Sequence, residues 1–217
     1  YANIHKKTPF QKSLYYKQMQ IRDMTSRWSN SSTTAVLDHG ANPGLISHFT
    51  KKGLIDIASK LIRDKLVHKK QAKRIEKFIQ EKDFARLSMK LGVKTIHVSE
   101  HDTQVTNKPK MPGEFVGTWS IEGLREEGIS PAEIGWGTHE KDISLIANVP
   151  PYGPRNQIFL SQMGMNTWVR TWVPSEEIVG MVIRHAEAFS ISYYLTVWKK
   201  GLPIYRPTVH YAYMPCN

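Results

Sequence analysis

Carboxylates, histidines and tryptophans crowd into four short stretches of this 217-residue chain: residues 99–104, 118–128, 133–140 and 184–187. Each closes an expected strand, where loops held by a rigid sheet commonly carry function. A carboxylate beside an indole suits a cationic amine. The carboxylate accepts charge-assisted hydrogen bonds from an ammonium, and the indole face adds cation–π attraction. Taken singly, each residue also has a structural reading. Glu126 and Glu127 can be solvated, and Trp119 and Trp136 can be core. His185 and Glu187, two apart on one face of an expected strand, can form a structural hydrogen bond. No metal site is expected, because His97 and His101 straddle a strand end and no His-Glu-x-x-His run or cysteine cluster exists. The single Cys216 has no motif around it, which argues against a cysteine nucleophile.

A second feature is the glycine-flanked loop in residues 36–45, which joins an expected strand to a helix. Gly40 and Gly44 let backbone approach a ligand without a Cβ in the way. Pro43 suits the first turn of a helix, where its missing N–H costs nothing. The helix start would offer free N–H groups to a phosphate or a polar cofactor edge. Many such turns hold no ligand.

The elements that would position these groups come in two blocks. Helical patterns cover residues 9–28, 43–65 and 70–91, the last ending at Gly92 as a C′ glycine. A strand is expected at 34–38, ahead of the glycine loop. Further strands are expected at 95–98, 115–120, 143–148, 157–162, 167–173, 179–184, 189–198 and 208–214, with a hairpin turn at Lys199-Lys200-Gly201. Residues 121–136 read as irregular with a short helical turn. Helices first and a largely antiparallel or mixed sheet afterwards give an α/β (α+β) two-layer sandwich. Alternating βαβ units and a Gly-x-Gly-x-x-Gly turn are missing, so any dinucleotide is held mainly elsewhere.

Apolar content of 40% fits a globular domain, and no run approaches the ~20 residues of a membrane span. The chain starts at Tyr1 and ends just after a strand-like run, so it reads as a piece of a longer protein. A lone cysteine favours a reducing, cytoplasmic setting. The net charge of +11 gathers at residues 51–77, where interleaved acids and periodic apolar residues describe amphipathic helices with a solvated face. No nucleic-acid partner is expected, since aromatic platforms and zinc-finger spacings are lacking.

Together, Gly40-Ala41-Asn42-Pro43-Gly44, Glu100-x-Asp102-Thr103-Gln104, Thr118-Trp119-Ser120-x-Glu122-Gly123, the run from Ala132 to Glu140, His185-x-Glu187 and the run from Tyr205 to Tyr213 resemble the homospermidine synthases. That family is related to the saccharopine dehydrogenases. The resemblance implies that residues 1–217 are a substrate-binding and dimerising domain, its NAD-binding Rossmann domain lying outside this chain. It implies a mixed sheet with helices on one face, like the C-terminal domain of glyceraldehyde-3-phosphate dehydrogenase. It also implies a reaction in which two putrescine molecules give homospermidine and ammonia by amine oxidation, imine exchange and re-reduction, with NAD not consumed. Carried over residue by residue, Gly40, Ala41, Asn42 and Pro43 would meet the cofactor. Glu100, Glu127 and Asn42 would bind the diamine, and Trp119 would lie against a cationic amine or imine. His185 would handle protons, with Glu187 orienting it or binding amine. Glu122 and Glu140 are second-choice carboxylates. The alternative is a saccharopine or carboxynorspermidine dehydrogenase with net NAD(P)H turnover, for which Arg125, Arg170 and Arg184 would be candidate carboxylate clamps. A third reading is a basic binding module using residues 51–77.

Overall fold

The computed structural model describes residues 7–29, 34–37, 39–114 and 120–215. Thr8 opens α1 (Pro9–Lys12) with a capping box and Pro9 in the first turn. Ser13 ends it and starts α2 (Leu14–Thr25), its hydroxyl accepting from the Tyr16 N–H at 3.1 Å. That cap splits the single helix expected over 9–28. Residues 34–37 form no strand. Val36 and Leu37 are exposed, and no neighbouring strand pairs with them among the described residues. Asp38 lies outside those residues.

Next come α3 (Leu45–Arg63), α4 (Lys69–Gln80) and α5 (Phe84–Leu91). The helix expected over 70–91 is interrupted because Lys82 turns left-handed and Asp83 caps α5 through the Arg86 N–H at 3.0 Å. Gly92 ends α5 at φ 71°, as its position suggested. Strand β1 (Thr95–His101) follows. The strand expected at 115–120 falls almost wholly outside the described residues, and Ser120 instead caps α6 (Ile121–Ile129). Residues 121–136 are therefore more ordered than expected, since β2 (Pro131–Gly135) follows directly. Of 143–148 only β3 (Ala147–Asn148) is a strand. The order closes with β4 (Gln157–Met163), β5 (Trp168–Val173), β6 (Glu176–Met181), α7 (Ala186–Tyr194), β7 (Val197–Lys199), β8 (Leu202–Tyr205) and β9 (Thr208–Met214).

Helix α7 is the largest departure, since a strand was expected over 189–198. The alternation Phe189, Ile191, Tyr193 mimics a strand, yet the segment is apolar on nearly every side. Ala186, Glu187, Ala188, Phe189, Ile191 and Ser192 are all buried, so period alone did not distinguish helix from strand.

Strand β9 is the spine of a mixed, seven-stranded sheet. One edge pairs in parallel with the whole of β1, from Thr95 opposite Thr208 to His101 opposite Met214. The other edge is shared: β2 meets it at Val209 and β6 at Tyr213, both antiparallel. Strands β4 and β3 extend the sheet beyond β2, and β5 extends it beyond β6. The sheet curls until the Thr171 hydroxyl of β5 reaches Ser99 at 2.6 Å and His97 at 3.0 Å. Strands β7 and β8 form a separate hairpin, turned by Lys200 and Gly201, both at positive φ.

Helices cover one face. Leu54, Ala58, Ile75 and Leu87 from α3–α5 pack with Ile191 and Leu195 on Val98, Val209, Tyr211 and Tyr213. The opposite face carries a smaller cluster of Ala132, Ile158, Leu160 and Val182. Gly135 lets α7 lie directly on β2, because a Cβ there would meet the Ala188 carbonyl at 2.5 Å. No helix among the described residues is long and apolar enough to cross a membrane.

Candidate functional site

The glycine loop closes on itself before α3 begins. The Gly40 N–H donates to the Pro43 carbonyl at 2.7 Å, and the Leu45 N–H to the Gly40 carbonyl at 2.9 Å. Gly44 stands at φ 127°, where a Cβ would meet the Gly40 oxygen at 2.6 Å. Two sequence expectations change here. Pro43 belongs to the turn ahead of the helix, not to its first turn, and the Leu45 and Ser47 N–H groups bond back to Gly40 and Gly44 instead of standing free.

At the tip of this turn, Asn42 reaches the helix-facing side of the β1/β9 pair. Its Nδ2 donates to Glu100 at 2.6 Å and lies 3.2 Å from the Tyr211 hydroxyl. Tyr211 itself donates to the same Glu100 oxygen at 2.6 Å. Burial first, then the Glu100 charge, pushes the phenol well above its ordinary range, so it stays a neutral donor. Against its ring lies the imidazole of His185, stacked at 4.1 Å between centroids and 19° between planes.

His185 precedes the first turn of α7 without capping it by its side chain, and Glu187 sits in that turn with its carboxylate bonded to His185 Nδ1. The pair thus meets across a helix start, not on one strand face. Glu187 is fully buried. Glu127, from α6, completes the ring of acids. Burial raises its carboxyl above the usual range, while His185 and Arg184 pull the other way and Glu126 and Glu187 add to the rise. Glu126 behaves oppositely: burial is outweighed by hydrogen bonds from Arg184 and Lys17, which hold it below the ordinary value. Arg184 sits 2.5 Å from Glu126 and also donates to the Lys12 carbonyl.

Asn42, Glu100, Glu127, His185 and Glu187 therefore converge. Trp119 lies outside the described residues. Three acceptors in this cluster, Asn42 Oδ1, Glu127 Oε2 and Glu187 Oε1, are buried without a hydrogen-bond partner among the described residues. A buried acceptor left unbonded is costly, so the cluster has room in its hydrogen bonding for an incoming donor. With Nδ1 of His185 held by Glu187, Nε2 is the ring atom left for proton exchange.

Tyr211 was not singled out from sequence, although alternation along residues 208–214 sets Val209, Tyr211 and Tyr213 on the helix side. A hydroxyl in that apolar stripe was the available signal. The second-choice acids lie elsewhere. Glu122 is exposed at the start of α6. Glu140 accepts from Thr208 at 2.5 Å in a loop pinned by Thr138 and Arg206. Trp136 packs on the smaller core cluster. His97 bonds Thr171, and His101 lies 3.0 Å from Glu176.

Residues 40–217 match the family model of the saccharopine dehydrogenase C-terminal domain. The homospermidine synthase of Mesorhizobium japonicum is 44% identical over 186 residues, covering 85% of this chain and 37% of that protein. The homospermidine synthase of Blastochloris viridis is 43% identical over 187 residues, again covering 85% and 37%. The crystal structure of homospermidine synthase from Legionella pneumophila in complex with NAD superposes with a TM-score of 0.76 at 41% identity. That match covers 97% of this chain and 42% of the Legionella chain. The present chain thus spans 37% of the length of the curated relatives it matches.

Proposed function

This chain belongs to the saccharopine dehydrogenase C-terminal domain family, and from that premise we propose that it forms the diamine-binding part of a homospermidine synthase. The observation that carries the reading is the convergence of Glu100, Glu127 and Glu187 around Tyr211 and His185, with buried acceptors still open. An ammonium group brings three donors and one positive charge, which matches such a ring. The acids act locally, which is how a domain of net charge +11 can receive a dication.

NAD fits the same corner. The Asn42 carbonyl oxygen is a buried acceptor suited to a carboxamide N–H, and Gly40, Ala41 and Pro43 form the rim beside it. When bound, NAD takes a hydride from the amine-bearing carbon of one putrescine and later returns it, so none is consumed. In this reading Glu100 and Glu127 hold substrate ammonium groups. His185, oriented by Glu187, draws a proton through Nε2 to give the neutral amine that hydride loss requires. The amine of a second putrescine then adds to the resulting imine carbon, and ammonia leaves from that adduct to give the new imine that is re-reduced. Trp119 would lie against the cation by its ring face. The protein would act in the cytoplasm as a homodimer, and fractionation with a cytoplasmic marker would check the location.

The dehydrogenase alternative needs an arginine free to clamp a substrate carboxylate. Arg184 is already engaged by Glu126 and Lys12. Arg170 pairs with Glu177 on an exposed sheet face, and Arg125 is exposed. Glu127→Gln in the full-length enzyme tests the proposal. It should cut putrescine turnover about 10- to 100-fold, the worth of one hydrogen bond to a charged group, while bound NAD stays constant. Trp119→Ala should behave likewise. Normal turnover in Glu127→Gln removes that residue from the site, and accumulation of NADH in proportion to product would favour the dehydrogenase.

A further inference from the structure

Tyr211 has no part in the chemistry assigned above, yet its side chain touches two groups that do, Glu100 and His185. The strand register puts it there. In the parallel β1/β9 pair Tyr211 stands opposite Val98, so Glu100, two residues on, is its diagonal neighbour on the same face. Tyr213 repeats the offset: it stands opposite Glu100, and its hydroxyl lies 3.4 Å from Asp102. Tyr211 is 2% exposed on the central strand of the sheet, so close packing leaves its ring little freedom to swing.

The two contacts differ in kind. The Tyr211 hydroxyl and Asn42 Nδ2 both donate to one oxygen, Glu100 Oε2, each at 2.6 Å. That fixes the carboxylate and leaves Oε1 without a hydrogen bond among the described residues. No lysine or arginine among those residues pairs with Glu100, whereas Arg184 and Lys17 hold Glu126. A neutral phenol orients an acid without cancelling its charge, and burial first, then the Glu100 charge, keeps this phenol protonated. On its other side the ring lies flat on the His185 imidazole, 4.1 Å between centroids and 19° between planes. Glu187 holds that imidazole at Nδ1, a single point about which it could still tilt. The stacked ring sets its plane, and with it the direction of Nε2.

We propose that Tyr211 is a positioning residue, aiming Glu100 at the substrate ammonium through its hydroxyl and His185 Nε2 at the reacting amine through its ring. This rests on the diamine reading, in which Glu100 holds an ammonium and His185 draws the proton. One strand position then sets the geometry of both binding and proton transfer.

Two variants of the full-length enzyme separate the two contacts, with steady-state kinetics on putrescine and melting curves to report folding. Tyr211→Phe keeps the stacked ring and drops the hydroxyl. It should raise KM for putrescine about tenfold, the loss of one hydrogen bond to a charged group, with kcat little changed. Tyr211→Met removes the ring as well, and should lower kcat by a factor of about ten to a hundred relative to the Phe variant. In a Glu100→Gln background Tyr211→Phe should raise KM little further, because the hydroxyl acts through that carboxylate; a merely structural hydroxyl would give additive losses. Wild-type KM in Tyr211→Phe, additive losses in the double variant, or equal kcat in folded Met and Phe variants overturns the proposal and leaves the diamine reading standing. Tyr211→Phe preserves the packed volume, so it decides the role of the hydroxyl even where the Met variant does not fold. Unchanged putrescine kinetics in Glu100→Gln alone would instead strike the diamine reading on which the proposal rests.

Discussion

His97 and His210 stand opposite each other in the parallel β1/β9 pair, their rings 4.3 Å apart. Burial first, then the neighbouring His97, pushes His210 down from 6.5 to about 4. Burial alone lowers His97. Each folded pKa lies below its unfolded value, so the unfolded chain gains protons first as pH drops. Their stabilising contribution is complete above about pH 6.5 and disappears as pH falls toward 4, a span worth on the order of 3 kcal/mol for His210. Tm measured from pH 7 to 4 should fall steeply, and His210→Gln should flatten the profile. An unchanged acid slope in that variant would remove His210 as the cause. Single side chains were unevenly readable in the sequence. The acid-rich stretches held Glu100, Glu127, His185 and Glu187, and the glycine loop with the family resemblance added Asn42; these five do meet in space. Tyr211 hid inside a strand whose alternation looked purely structural, and only the fold shows its hydroxyl on Glu100.

Helix α2 illustrates how an element can depend on one buried group. Glu133 of β2 is almost wholly buried, and its carboxylate accepts from the Leu14 N–H at 2.5 Å and the Tyr15 N–H at 3.1 Å. Burial raises its pKa while those two bonds oppose the rise. A negative group is stabilised at a helix start by the dipole and by open N–H donors. Glu133→Gln should therefore cost about 1–3 kcal/mol, which is roughly 2–4 °C of Tm per kcal/mol for a chain of this size. Unchanged melting would mean that α2 is held by packing alone. No sequence signal pairs position 133 with position 14, because the contact is tertiary. Where information was local the reading went further. Strand β9 and the Lys200-Gly201 turn follow from alternation and turn chemistry. The buried helix α7 failed, since burial on almost every side erases the periodic contrast that names a helix.

Over the whole molecule, one sheet face is covered by helices while the outer side of β5–β6 leaves Trp168, Trp172 and Val179 more than half exposed. Large apolar side chains clustered on an open face are the usual mark of an interface. The proposed homodimer would close there. Sedimentation should give twice the chain mass of 24.9 kDa, and Trp172→Lys should return it to that mass; a wild-type monomer at high concentration would end the idea. The family match begins at residue 40, yet the groups around His185 are tethered ahead of it. Arg184 donates to the Lys12 carbonyl, Glu126 pairs with Lys17, and the Tyr15 hydroxyl bonds residues 152 and 155. Anyone grafting or shortening this domain must carry the two leading helices with it. Cut at the family boundary, Arg184 would lose the Lys12 carbonyl and Glu133 the Leu14 and Tyr15 N–H groups, so two buried charges would keep only Glu126 and Gln157 for company and the histidine beside them would lose its footing.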